Sequence, residues 1–97
     1  RFDKIIGKQS VAIEDAKSQG KDTTTAESLL AQSETDLVSA RISLKETRIK
    51  FAAISESADP KTTATAARES MRKTIAATKK VLQDIRATQK EIKTFSQ

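Results

Sequence analysis

The feature that most constrains this chain is a run of aliphatic and small residues whose spacing alternates between four and three. It passes through Ala26, Leu30, Ser33, Leu37, Ala40, Leu44, Thr47, Phe51, Ile54 and Ala58 without a break. Only a long α-helix holds such residues on one face, and that face needs a second helix to cover it. A matching run follows: Ala64, Ala67, Met71, Thr74, Thr78, Val81, Ile85, Thr88, Ile92 and Phe95, widened by Ile75 and Leu82. Many of these seam positions are Ala, Ser or Thr, so the helices are expected to approach closely around small side chains. A second stripe on the first of the two helices (Ala31, Val38, Ile42, Ile49 and Ala52) predicts a central helix packed on both flanks.

Ahead of these runs, Phe2, Ile5, Ile6, Ala12, Ile13 and Ala16 fall on one face of a shorter amphipathic helix, Arg1 to Gln19. Gly7 inside it marks either close packing or a frayed first turn. Gly20 is the expected C′ residue, able to take the left-handed conformation that ends a helix. Thr24 with Glu27 has the pattern of a capping box, with Asp22 as an alternative cap. The second corner, Ser55 to Pro60, offers Asp59 as cap and Pro60 at the first helical position. The expected fold is all-α, an antiparallel three-helix coiled-coil bundle forming a single domain over residues 1–97. Its helices span about 2–19, 24–57 and 60–95.

The unequal lengths carry a consequence. At 1.5 Å per residue the second and third helices reach about 50 Å and the first about 27 Å. One end of the hairpin, around Ile49, Phe51, Ile54, Met71 and Ile75, is therefore expected to be bare. Exposed apolar stripes of this kind are docking sites or liabilities. These five residues form the candidate assembly surface, with another copy of the chain, another helical protein or an upstream continuation of the first helix as the covering partner.

Charge supplies a second candidate. The net charge of +5 is uneven: residues 22–59 carry four basic and seven acidic side chains, residues 60–97 nine basic and three acidic. Arg72, Lys79, Arg86 and Lys93 recur every seven residues and form a stripe on the third helix. The stripe suits an anionic polymer or acidic partner; the competing expectation is a solvated flank paired with Glu34 and Asp36. Without interleaved aromatics or a known nucleic-acid signature, specific nucleic-acid recognition is not expected.

Catalysis finds little to work with. Cys, His, Trp, Tyr and Asn are absent, which removes thiol nucleophiles, imidazole bases and soft metal ligands. Glu14 and Asp15 are adjacent, so on a helix they point about 100° apart. Glycine-rich nucleophile turns and phosphate loops are missing. The expectation is a non-enzyme without catalytic, metal or cofactor-binding residues. The longest apolar run, Phe51-Ala52-Ala53-Ile54, is far too short to span a bilayer. Ser and Thr make up 22 of the 97 residues, a composition that leans towards export.

The first corner, Gly20-Lys21-Asp22-Thr23-Thr24 followed by Ala26-Glu27-Ser28-Leu29-Leu30-Ala31, resembles that of small exported all-helical domains of candidate-phyla-type bacteria. The second corner, Asp59-Pro60-Lys61 leading into a long Lys-rich helix, is similar too, and the resemblance covers most of residues 18–93. It implies export, and a first helix that continues upstream behind a signal peptide or anchor. It implies no reaction or cofactor. The chain departs from spectrin repeats in lacking a first-helix tryptophan, and from the secreted WxG hairpins in lacking the Trp-x-Gly turn. The functional expectation is a structural or assembly module of the cell envelope or exterior, able to serve as a self-assembling filament or array subunit. The alternative is a binding module for an anionic polymer or acidic partner.

Overall fold

A computed structural model describes residues 1–96. The described residues form three α-helices and no strand: α1 (Phe2–Ser18), α2 (Thr24–Ala52) and α3 (Pro60–Lys93). Short 3-10 turns, Ile54–Glu56 and Thr94–Ser96, follow α2 and α3. The molecule is a rod with principal extents of 62 × 16 × 15 Å. α2 stops earlier than the expected boundary near Ser57: Ser55 and Glu56 lie in the 3-10 turn, and Ala58 and Asp59 in a bend.

Each corner has a local chemical cause. Gly20, at φ +81°, is the one residue among those described with a left-handed backbone. Its N–H reaches the Lys17 carbonyl at 3.0 Å, and the Lys21 N–H reaches the Ala16 carbonyl at 3.1 Å. That pair of bonds closes α1 in a Schellman motif. The Thr24–Glu27 capping box does not form. Helix α2 starts one residue earlier in its cap, at Thr23, whose hydroxyl donates to Glu27 Oε1 at 3.1 Å. Asp22 instead accepts from both the N–H and the hydroxyl of Thr24, at 3.1 and 2.8 Å, which holds its carboxyl below the usual range. At α3, Asp59 caps as expected, accepting from the Thr62 N–H at 3.3 Å with Pro60 in the first turn.

The seams find their neighbours. Ser43 and Thr47 of α2 hydrogen-bond to Thr74 and Ser70 of α3, and Lys80 reaches Asp36. Residue numbers thus fall along one helix as they rise along the other. Ile6 of α1, Leu37 and Ala40 of α2, and Val81 and Ile85 of α3 form the apolar core, with Phe2, Leu30 and Ala77 packed against it. Helix α1 lies against both others. Asp3 pairs with Arg41, Lys17 with Glu27 at 3.3 Å, and Gln9 Nε2 donates to the Ile85 carbonyl at 3.0 Å. Gly7 has no atom near the place a Cβ would occupy, so it is not a close-packing device. The reading of α2 as packed on two flanks is corrected too. Val38, Ile42 and Ile49 are 55%, 54% and 60% exposed, because α1 sits beside the α2–α3 seam and leaves the outer face of α2 open.

Candidate functional site

Helix α1 ends its cover at Phe2, and there the neighbouring groove opens. A cleft of about 290 Å³ is lined there by Phe2, Leu37, Ala40, Leu44, Thr74 and Thr78, among others. Beyond it the α2–α3 pair continues alone. Of the five candidate assembly residues, Phe51, Met71 and Ile75 are 41%, 37% and 49% exposed on this uncovered half, whereas Ile54 is half-buried in the 3-10 turn. Ile49 does not join them. It belongs to the outer stripe of α2, with Val38 and Ile42. The expected surface is thus two surfaces: a groove between α2 and α3, and a ridge on the back of α2.

The face of each helix that meets α1 is fixed by contact. On α2 it carries Glu27 and Arg41; on α3 it carries Gln89, which accepts from Gln9 Nε2 at 3.4 Å. Seven-residue steps from these residues stay on the same face. They lead to Arg48 on α2, and to Leu82, Ile75 and Arg68 on α3. The next row outward holds Lys45 on α2 and Arg72 and Lys79 on α3, all exposed. The groove floor is apolar, and its charged rim is basic.

The four stripe residues Arg72, Lys79, Arg86 and Lys93 are all exposed. Arg72 contacts Glu69 of its own helix at 3.3 Å. The expected pairing of the stripe with Asp36 does not occur: Asp36 is buried, accepts from Gln32 Nε2 at 3.1 Å, and lies 3.7 Å from the ammonium of Lys80. Glu34 is exposed on α2. The basic stripe therefore faces solvent, with its Arg72–Lys79 half beside the uncovered groove.

Two polar arrangements escaped the sequence reading. The first is a hydroxyl cluster in the uncovered half. Thr47 Oγ1 lies 2.7 Å from Ser70 Oγ and 3.0 Å from Thr74 Oγ1, which lies 2.8 Å from Ser43 Oγ. Thr47 and Thr74 were legible as seam positions, but their mutual bonding follows only from the pairing level of the two helices. The second is a carboxyl pair. Asp36 of α2 and Asp84 of α3 lie close enough across the seam for each carboxyl to shift the other. Burial, then the bond to Asp36 and its charge, push Asp84 up to about 6. Asp36 is held low, chiefly because it accepts from Asp84. Both Oδ2 atoms are buried without a hydrogen-bond partner, an arrangement in which one proton shared by the pair is favoured over two full charges. Each aspartate immediately precedes a seam residue, Leu37 or Ile85, a register that brings them together once the helices pair in opposite order.

Among the described residues no group of three or more acidic, Cys or His side chains is placed to hold a metal ion, and no helix is long and apolar enough to cross a membrane. Comparisons of the chain with protein-family models, with curated proteins and with solved structures found no match.

Proposed function

We propose that this protein is a non-catalytic helix-docking module: a single antiparallel three-helix coiled-coil domain whose work is to pack against other helices. In this reading it is an exported structural or assembly element of the cell envelope or exterior, a subunit that associates with copies of itself. One observation carries the proposal. The outer face of α2 bears a second heptad-spaced apolar row, with Val38, Ile42 and Ile49 each more than half exposed. A helix covered on one side needs only one such row; a second row is what a partner helix reads. The export component rests on the Ser/Thr-rich composition and on the resemblance of the two corners.

The test is molar mass against concentration by light scattering, at low and moderate salt. The proposal expects mass to rise above one chain with concentration, and Ile42→Glu to return the protein to a monomer with unchanged helicity. A wild-type chain that stays monomeric throughout would overturn self-assembly. The second reading, recognition of an acidic partner or anionic polymer, is favoured by the solvent-facing basic stripe. It expects binding that weakens steeply with salt.

A further inference from the structure

We infer that the groove between α2 and α3 beyond Phe2 is the seat of an acidic amphipathic helix lying in line with α1. The inference rests on the helix-docking reading and names the helix that docks. Its first support is shape. From the level of Arg41, where Asp3 pairs, to the end of α2 at Ala52 is about 17 Å of helix, room for roughly three turns of a partner. The floor continues the path of α1 through Leu44, Phe51, Met71 and Ile75, and the last three are more than a third exposed.

Charge is the second support, and it decides the occupant. The exposed charged side chains bordering this stretch are Lys45 and Arg48 on α2, and Arg68 and Arg72 on α3. Among the described residues, Lys45, Arg48 and Arg68 have no ion-pair partner, and Arg72 contacts only the exposed Glu69 of its own turn. Glu69 is the one carboxylate found in contact with these side chains among the described residues. The other groove of the hairpin is different. It is closed by the Ser43–Thr74 and Thr47–Ser70 hydrogen bonds, and its borders mix Glu46 with Lys50 and Lys73. Within the covered half, α1 already shows the rule: it meets Arg41 with Asp3, and Glu27 with Lys17. A helix continuing that layer over Arg48 and Arg68 is matched by Glu or Asp at both flanking positions and by small or aliphatic residues on its seam. A second copy of the chain, at +5 and with the same basic rims, lacks that pattern; its place is the uncharged outer row of α2.

The test uses the full chain and two fluorescent peptides of about 16 residues, identical in a Leu/Ala seam but flanked by Glu in one and Lys in the other. Anisotropy titration is expected to show the Glu peptide binding at least about tenfold more tightly, a difference of about 1.4 kcal/mol. Met71→Ser and Ile75→Ser should each weaken it severalfold while leaving helicity intact, since both side chains are exposed, and Ile42→Ser should leave it unchanged. Equal binding of the two peptides, or binding indifferent to Met71 and Ile75, would overturn the inference. A single-stranded oligonucleotide that binds as tightly as the Glu peptide, with no response to Ile75→Ser, would make the rim a polyanion site and overturn it as well. Concentration-dependent growth in mass without peptide binding would sink the groove assignment alone. A chain that neither associates nor binds peptide would sink both readings.

Discussion

The two halves of the α2–α3 pair are built on one heptad spacing and closed by different chemistry. In the half that α1 covers, Ile6, Leu37, Ala40, Val81 and Ile85 exclude water together. In the uncovered half the seam runs through Ser43, Thr47, Ser70 and Thr74, hydroxyls that satisfy one another. Two helices alone cannot bury large side chains on all sides of a seam. The uncovered half therefore uses small residues where the helices touch, and its large ones, Phe51, Met71 and Ile75, are left at the margin. The comparison teaches that one half is held by apolar burial and the other by close approach and hydrogen bonds.

The comparison breaks most readily at its strongest point. Leu37→Ala, in the covered core, is expected to cost about 2–5 kcal/mol, whereas Leu44→Ala, half-buried beside the cleft, should cost about 1 kcal/mol or less. Chemical denaturation of the two variants measures the contrast, and equal losses would erase it. Next comes the hydroxyl cluster. Thr47→Val should cost about 1–2 kcal/mol by leaving its partners short of a bond, while Thr47→Val combined with Ser70→Ala and Thr74→Val should recover much of that loss. A triple variant worse than the sum of its parts would mean the hydroxyls do more than satisfy each other.

The carboxyl pair sharpens the comparison through pH. Asp84, at about 6 against an ordinary 3.8, holds a proton in the folded chain that the unfolded chain has released. Its contribution is fully present below about 3.8 and is lost as pH rises through about 6. Asp36 is shifted the other way, so its contribution is lost only as pH falls below the ordinary carboxylate range. Between pH 4 and 6 Asp84 governs. The melting temperature should therefore fall across that window, and Asp84→Asn should flatten the fall and raise stability at neutral pH. Smaller still, Gly7→Ala should stabilise α1 by about 0.5–1 kcal/mol, since the added methyl meets open space. The Lys17–Glu27 pair, exposed on both sides, should yield no more than about 0.5 kcal/mol when Lys17 is made Met. Both follow from thermal melts at fixed pH.

Much of the fold was legible because heptad spacing constrains every residue in the run. Ala26, Ser33, Leu37, Ala40 and Thr47 of the first seam are all buried, as are Ala67, Thr74, Val81, Ile85 and Thr88 of the second. What spacing does not encode is the presence of a neighbour. Phe51 and Met71 have the same register as buried residues and are exposed, because among the described residues α1 lies over only the other half of the pair. The Val38–Ile49 row has helical spacing equally good for burial, yet among the described residues it stays more than half exposed. Residue type misled in the other direction: Asp36 reads as a surface acid and Gln9 as a polar flank, yet both are buried, each held by partners more than 40 residues away. Phe51, Met71 and Ile75 are exposed at the end of the hairpin expected to be bare, but the separation of that groove from the outer row of α2 needed the placement of α1.

The most direct test of the central claim is residue-resolved hydrogen exchange along α2 and α3, at a dilution where the chain is monomeric and again at high concentration. In the dilute protein, amides of residues 30–40 and 81–88 should exchange far more slowly than those of 44–52 and 63–75. At high concentration, protection should rise selectively around Val38, Ile42 and Ile49. Uniform protection along both helices, unchanged by concentration, would contradict the division of the molecule into a closed half and a half open to another helix.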